Sequence, residues 1–136
     1  MSQSPLTIFQ VAGRAMSAQL VRMNTTASNL ANAGGVAGTE DAAYKTMKPV
    51  FRTSFDQASG MSTVDVQQVV TAGEAPTKRY DPGNPMADKD GNVFEAAVDE
   101  TRELVDIMET SRSYQNNVEV MNTAKSLIVD TLKLGR

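Results

Sequence analysis

Two stretches of this 136-residue chain, one near each end, repeat apolar side chains at alternating steps of three and four residues. That spacing places the apolar positions on one face of an α-helix and is typical of a helix that packs against another helix. We call these two faces together the seam, and we predict that it is an assembly interface. The seam residues are Leu6, Phe9, Met16, Leu20, Met23, Leu30, Leu104, Ile107, Tyr114, Val118, Met121, Ile128 and Leu132.

Residues that stop or cap helices set the expected bounds of the two helices. The first helix is predicted to begin near Leu6, because Ser4 is a good cap and Pro5 is tolerated in a first turn. Asn32 and Gly34 supply its stop. The absence of proline and glycine over 94–134 leaves room for a second helix, whose exact start stays open. We therefore divide the chain into an N-terminal helix at 1–36, a middle segment at 37–95 and a C-terminal helix at 96–136.

The middle segment has a different pattern, rich in β-branched and aromatic residues. The stretches 48–55 and 61–70, separated by Ala58-Ser59-Gly60, predict a β-hairpin, and 77–80 predicts a short third strand. The breakers of 81–85 predict a loop, as do the small residues of 36–43. The expected fold is mainly α: two long terminal helices that pack as a coiled-coil-like hairpin, with a small β-hairpin and loop insert between them.

Composition and charge suggest a part of an assembly. Aromatic residues make up 5% of the chain, which cannot fill a thick core, and the net charge of −3 argues against a nucleic-acid protein. From Met1 to Thr39 there is no acidic residue, and Arg14 and Arg22 are the only charged side chains. We expect a helix with so few charges to be covered by neighbours on several sides. The alternative is a mobile, poorly ordered arm.

The residue types needed for common catalytic and metal sites are missing or badly placed. The chain has no cysteine and no histidine, which removes the usual zinc ligands, thiol nucleophiles and imidazole bases. Asp88, Asp90 and Gly91 resemble part of a calcium loop, but Met86 and Ala97 stand where its first and last ligands belong. The carboxylates at 99–109 match the dipole of a helix start. The sequence predicts no catalytic residues, no cofactor and no metal, and hence no enzyme.

The first ten residues do not look like a cleaved export signal, because they lack its charged head and unbroken apolar run. No apolar run approaches the roughly 20 residues that span a bilayer. We expect no direct membrane insertion, and any passage out of the cytosol should occur without a cleaved Sec-type signal.

Several stretches resemble a known protein family. The run 22–33, followed by the pair Tyr44-Lys45, is similar to the N-terminal signature of the bacterial flagellar rod, hook and hook-associated proteins. The stretches 80–91, 111–120 and 122–126 resemble the small proximal-rod members of that family. The similarity runs over nearly the whole chain and is most specific from Tyr80 onward.

The resemblance implies a structural subunit of the proximal rod of the flagellar basal body, in the periplasm. Such subunits polymerise through their terminal helices into the torque-transmitting shaft around the export channel, and they leave the cell by type III export without a cleaved signal. The implied partners are copies of the chain itself, other rod proteins of the FlgB, FlgF, FlgG and FliE types, and the export apparatus. The alternative is a helical type III secretion substrate or adaptor that binds a single partner.

Overall fold

The computed structural model describes residues 7–135 and contains two long helices joined by two antiparallel β-sheets. The helices are α1, Ile8–Ala31, and α2, Glu100–Leu134. The strands are β1 (Val36–Ala37), β2 (Met47–Asp56), β3 (Met61–Thr71), β4 (Thr77–Tyr80) and β5 (Asn92–Glu95). One sheet has the order β1-β5-β4, and the other is the β2-β3 hairpin.

The expectation of a mainly α fold with a small insert is therefore wrong. The hairpin strands are as long as 10 and 11 residues, and a second, three-stranded sheet stands beside them. Two of its strands were missed: β1 lies in a predicted loop, and β5 lies at the end of the predicted middle segment, where Phe94 and Glu95 begin the stretch left free for a helix. Pairing with β4 and β1 on either side holds the short β5 segment extended and buries Val93 completely. Tertiary contacts of this kind override weak local preferences.

Side-chain caps fix where the helices begin. Thr7 accepts a hydrogen bond from the backbone N–H of Gln10, whose side chain accepts one in return from the backbone N–H of Thr7. The predicted cap at Ser4, with Pro5 and Leu6, lies outside the described residues. The second helix starts at Glu100 because Asp99 accepts a hydrogen bond from the backbone N–H of Arg102 at 3.1 Å.

The hairpin, the third strand and the loop over 81–85 agree with the sequence prediction. Strand β2 pairs with β3 from Met47↔Thr71 to Asp56↔Met61. Gly60 completes the turn with a φ of +66°, a conformation that favours glycine. The hairpin packs along α1 and runs back toward the start of that helix, since its base lies beside Asn29 and its middle lies beside Arg14.

The interior of the described chain is thin and made of small side chains. Its buried apolar residues are Ala12, Ala18, Ala37, Ala43, Val93 and Ala96. The two helices pair antiparallel, because Arg22 meets Asp106 while the later residue Asn29 meets the earlier residue Glu103. Across residues 7–135, no helix is both long and apolar enough to cross a membrane.

Candidate assembly surface and the helix junction

Polar side chains join α1 to α2 near the end of α1 and the start of α2. We call this the junction: Arg22, Thr26 and Asn29 of α1 with Glu103 and Asp106 of α2. Arg22 donates to both oxygens of the Asp106 carboxylate, with an Nε–Oδ2 distance of 3.2 Å, and Thr26 donates to Oδ2 at 3.0 Å. The amide nitrogen of Asn29 donates to Oε2 of Glu103 at 3.0 Å. Charge-assisted hydrogen bonds thus hold the helices together here.

The environment of Asp106 favours its ionised form. Partial burial by itself raises the pKa of the Asp106 carboxyl, but hydrogen bonds from Arg22 and Thr26 and the positive charges of Arg22 and Lys48 outweigh it. The pKa therefore lies below its usual value of 3.8. A carboxyl whose pKa is depressed by folding stabilises the folded chain above its unfolded pKa, and this contribution is lost as the pH falls through the folded value.

We expect the free energy of unfolding to fall when the pH is lowered from neutrality to below about 4, because Asp106 must then bind a proton. Urea denaturation at several pH values measures this dependence. The variant Asp106→Asn should be less stable at neutral pH and should lose less stability on acidification than the parent chain. Asp130→Asn, on the exposed last turns of α2, is the matched control and should keep the parent's dependence. An unchanged acid dependence in Asp106→Asn would contradict the role given to this pair.

The face of each helix that forms the junction is not the predicted seam. On α1 the junction uses positions 22, 26 and 29, whereas the nearby seam residues are Met23 and Leu30. On α2 it uses 103 and 106, next to the seam residues Leu104 and Ile107. One residue is about 100° around a helix, so the seam near the junction is turned away from the chain's own helix contact.

The structure leaves the seam residues half-buried or exposed. Those that are half-buried are Phe9, Met16, Met23, Leu30, Ile107, Tyr114 and Met121. Those that are exposed are Leu20, Leu104, Val118, Ile128 and Leu132, and Leu6 lies outside the described residues. The seam therefore stays a predicted assembly interface that a single chain does not cover.

The last two turns of α2 expose apolar side chains around much of the helix, with Asp130, Thr131 and Lys133 between them. Leu127, Ile128, Leu132 and Leu134 are 63%, 48%, 68% and 87% exposed, and Val129 beside them is also exposed. Exposed apolar side chains this close together usually mark a surface that contacts another molecule. Helix α1 begins at Ile8, and Ile8 lines the same groove as Val120, Ala124 and Leu127 of α2. This end of α2 is the strongest candidate in the chain for contact with another molecule.

In the acidic turn before β5, the side chain of Asp88 accepts hydrogen bonds from backbone N–H groups of the same turn. The Oδ1 atom of Asp88 accepts hydrogen bonds from the N–H groups of Asp90 and Asn92 at 2.9 and 2.8 Å. The bond from Asn92 lowers the pKa of the Asp88 carboxyl, although desolvation opposes it. Within residues 7–135, no group of three or more potential ligands is arranged to hold a metal ion.

The sequence prediction missed three buried polar residues on the two helices. Asn29, Glu103 and Thr110 are 1%, 6% and 0% exposed. The signal that could have found them is the spacing of 103, 106 and 110 on α2 and of 22, 26 and 29 on α1, which repeats polar side chains at helical steps. The seam was predicted from apolar positions alone, so it left these polar positions out.

Comparisons with known proteins decide the family. A family model described as "Flagella basal body rod protein" matches residues 9–38, and one described as "Flagellar basal body rod FlgEFG protein C-terminal" matches 90–134. The chain is 46% identical over 133 residues to "Flagellar basal-body rod protein FlgC" of Salmonella typhimurium, covering 96% of this chain and 98% of that protein. It is 43% identical over 133 residues to the protein of the same name from Yersinia enterocolitica, covering 98% and 99%.

The chain belongs to the FlgC family of flagellar basal-body rod proteins. A third relative, from Escherichia coli O6:H1, is 45% identical over 132 residues and bears the same name. The resemblance drawn from the sequence is thereby confirmed.

As a FlgC-family member, the chain is a structural subunit of the flagellar basal-body rod and not an enzyme. It assembles with other rod proteins in the basal body. No comparison supports the alternative of an adaptor with a single partner. The two regions matched by the family models include nearly all of α1 and all of α2, the two helices that present the seam.

Proposed function

We propose that the chain polymerises through its two terminal helices into the torque-transmitting shaft of the rod, around the export channel. The observation that supports this most directly is the exposure of the seam and of the apolar end of α2. Apolar surface of this extent on two helices favours burial against further helices. Neighbouring subunits in a tube can supply those helices along the full length of α2.

The low charge of α1 fits an inner position in such a tube. Within Ile8–Ala31 the charged side chains are Arg14 and Arg22, and both are paired inside the chain, with Asp65 and Asp106. The rest of the helix surface offers small polar and apolar groups. Helices of this kind can pack on several sides without burying an unpaired charge, which costs several kcal/mol.

The neighbours that we propose are copies of this chain and rod proteins of the FlgB, FlgF, FlgG and FliE types. The hairpin can also contact these neighbours, because its side chains Phe51, Phe55 and Val69 are exposed. We further propose that the chain reaches the periplasm through the flagellar type III export apparatus, with its N-terminal segment retained. Two helices joined by a thin interior present little structure that would resist unfolding before export.

Cross-linking in cells tests the proposed helix contacts. The chain has no cysteine, so Leu132→Cys introduces a single reactive thiol at an exposed seam position. In swimming cells treated with a thiol-to-thiol or thiol-to-amine cross-linker, this variant should form adducts with copies of itself or with other rod proteins. Ala18→Cys is the matched control, because Ala18 is covered by its own chain and should give no adduct.

The identity of the cross-linked partner decides the result. Adducts with rod proteins, identified by mass spectrometry, support polymerisation through the helices. A single adduct with one protein outside the rod would favour an adaptor instead. The absence of any adduct from Leu132→Cys in cells that still swim would contradict helix contacts at this end of α2.

A further inference from the structure

The side chain of Asn29 sits where α1, α2 and the hairpin meet, and it uses its full hydrogen-bonding capacity there. Its Nδ2 atom donates to the backbone oxygen of Met47 at 2.9 Å and to Oε2 of Glu103 at 3.0 Å. Its Oδ1 atom accepts from the backbone N–H of Met47 at 2.9 Å and from the Tyr44 hydroxyl at 2.8 Å. An amide offers two donors and two acceptor sites, so all are used.

The Asn29 side chain bonds both backbone groups of Met47, as a neighbouring β-strand would. The N–H of Ala72 in the loop after β3 donates to the oxygen of Thr46 at 2.7 Å, so Thr46 is a hydrogen-bonded position of the ladder. In an antiparallel pair the next residue, Met47, then points its N–H and C=O away from β3. The Asn29 amide receives both groups. One side chain of α1 thus replaces a third strand at the base of the hairpin.

The surroundings also fix which way the amide points. If its oxygen and nitrogen were exchanged, the oxygen would face two acceptors, the Met47 carbonyl and the Glu103 carboxylate, at 2.9 and 3.0 Å. The nitrogen would face the Met47 N–H. Asn29 is 1% exposed, so water cannot substitute for a lost partner. Aspartate has no donor, and serine or threonine cannot span both backbone groups of Met47.

We propose that Asn29 is a positioning residue that sets the direction of the hairpin relative to the paired helices. The bonds to Met47 hold the base of the hairpin to α1, and the bond to Glu103 forms only when α2 lies against α1. Once the helices have paired, Glu103 therefore helps to hold the Asn29 amide in the orientation that Met47 requires. That direction determines where Phe51, Phe55 and Val69 are presented. The proposal concerns the single chain and does not depend on how subunits assemble.

Distances between spin labels on the purified full-length chain test the proposal. Because the chain has no cysteine, labels can be placed by Ser17→Cys on α1 and Ala58→Cys at the hairpin turn, both exposed. A second pair, Ser17→Cys with Gln115→Cys on α2, reports the helix pair alone. The parent chain should give one narrow distance for each pair.

The variant Asn29→Asp should lose the narrow distance between hairpin and helix and keep the narrow distance between the helices, which Arg22 and Asp106 still join. Adding Glu103→Gln should leave the hairpin distance broad, since the glutamine amide can donate to the new carboxylate but no donor then faces the carbonyl of Met47. Asn24→Asp makes the same change at an exposed position of α1 and should behave as the parent. Broadening of both distances together would indicate a merely stabilising role and overturn the proposal.

A hairpin distance that stays narrow in Asn29→Asp, or is already broad in the parent chain, would also overturn it. Circular dichroism checks that each variant folds. If Asn29→Asp does not fold, Tyr44→Phe carries the test, because it removes a single bond to Asn29. Broadening of the hairpin distance alone then supports the proposal, and an unchanged distance contradicts it.

Discussion

Replacing Leu104 by aspartate is expected to abolish rod assembly and swimming while leaving the chain folded. Leu104 is 49% exposed in the single chain and lies next to the junction but outside it, so a charge there can stay in water. In an assembled rod the same position would be covered by a neighbouring helix. An unpaired charge in such an interface costs several kcal/mol, enough to prevent incorporation.

Two control variants test whether the effect of Leu104→Asp comes from a charge buried in the interface and not from the loss of leucine or the added charge alone. Leu104→Met keeps an apolar side chain of similar volume and should support swimming. Ala42→Asp adds the same charge at an exposed position of the loop between β1 and β2, and should also support swimming. Motility assays and electron microscopy of purified basal bodies give the readout. Normal rods with Leu104→Asp would remove this position from the assembly interface.

Replacing Arg22 by leucine is expected to destabilise the folded chain by about 1–3 kcal/mol, the range for a charge-assisted bond whose partner is left partly buried. The Arg22 and Asp106 side chains are 27% and 32% exposed. Without the guanidinium, Asp106 keeps only the hydrogen bond from Thr26 among those described from α1. Urea denaturation followed by circular dichroism measures the loss.

The second arginine of α1 provides the matched control. Arg14 pairs with Asp65 of β3 at 3.3 Å, but both side chains are about half exposed, at 48% and 49%. Exposed pairs of this kind contribute less than about 1 kcal/mol. Arg14→Leu should therefore cost clearly less than Arg22→Leu. Equal losses in the two variants would contradict the idea that the junction is the strong polar contact between the helices.

Local signals in the sequence were enough for the two helices and the hairpin. The helices have long uninterrupted patterns, and the hairpin has β-branched runs on either side of a glycine turn. The short strands β1 and β5 could not be found this way, since each has at most four residues and becomes a strand only through its partners. The fold class was wrong for that reason.

The candidate assembly surface could likewise be predicted from the sequence, whereas the junction could not. The apolar residues of the seam stand out by spacing, and they remain a predicted interface. The junction does not stand out, because Arg22, Asn29, Glu103 and Asp106 look like solvated residues until the helices are paired. Nothing in the local sequence indicates that the amide of Asn29 meets the backbone of Met47, which lies 18 residues further along the chain.

Hydrogen exchange, compared between the free chain and purified basal bodies, tests most directly whether the exposed helix surface is covered by assembly. In the free chain the backbone amides of 127–134 should exchange quickly, because their side chains are exposed on all sides, whereas those of 22–29 should be protected by the junction. In basal bodies both segments should be protected. Equally fast exchange of 127–134 in the free chain and in the assembled rod would contradict burial of this helix end by neighbouring subunits.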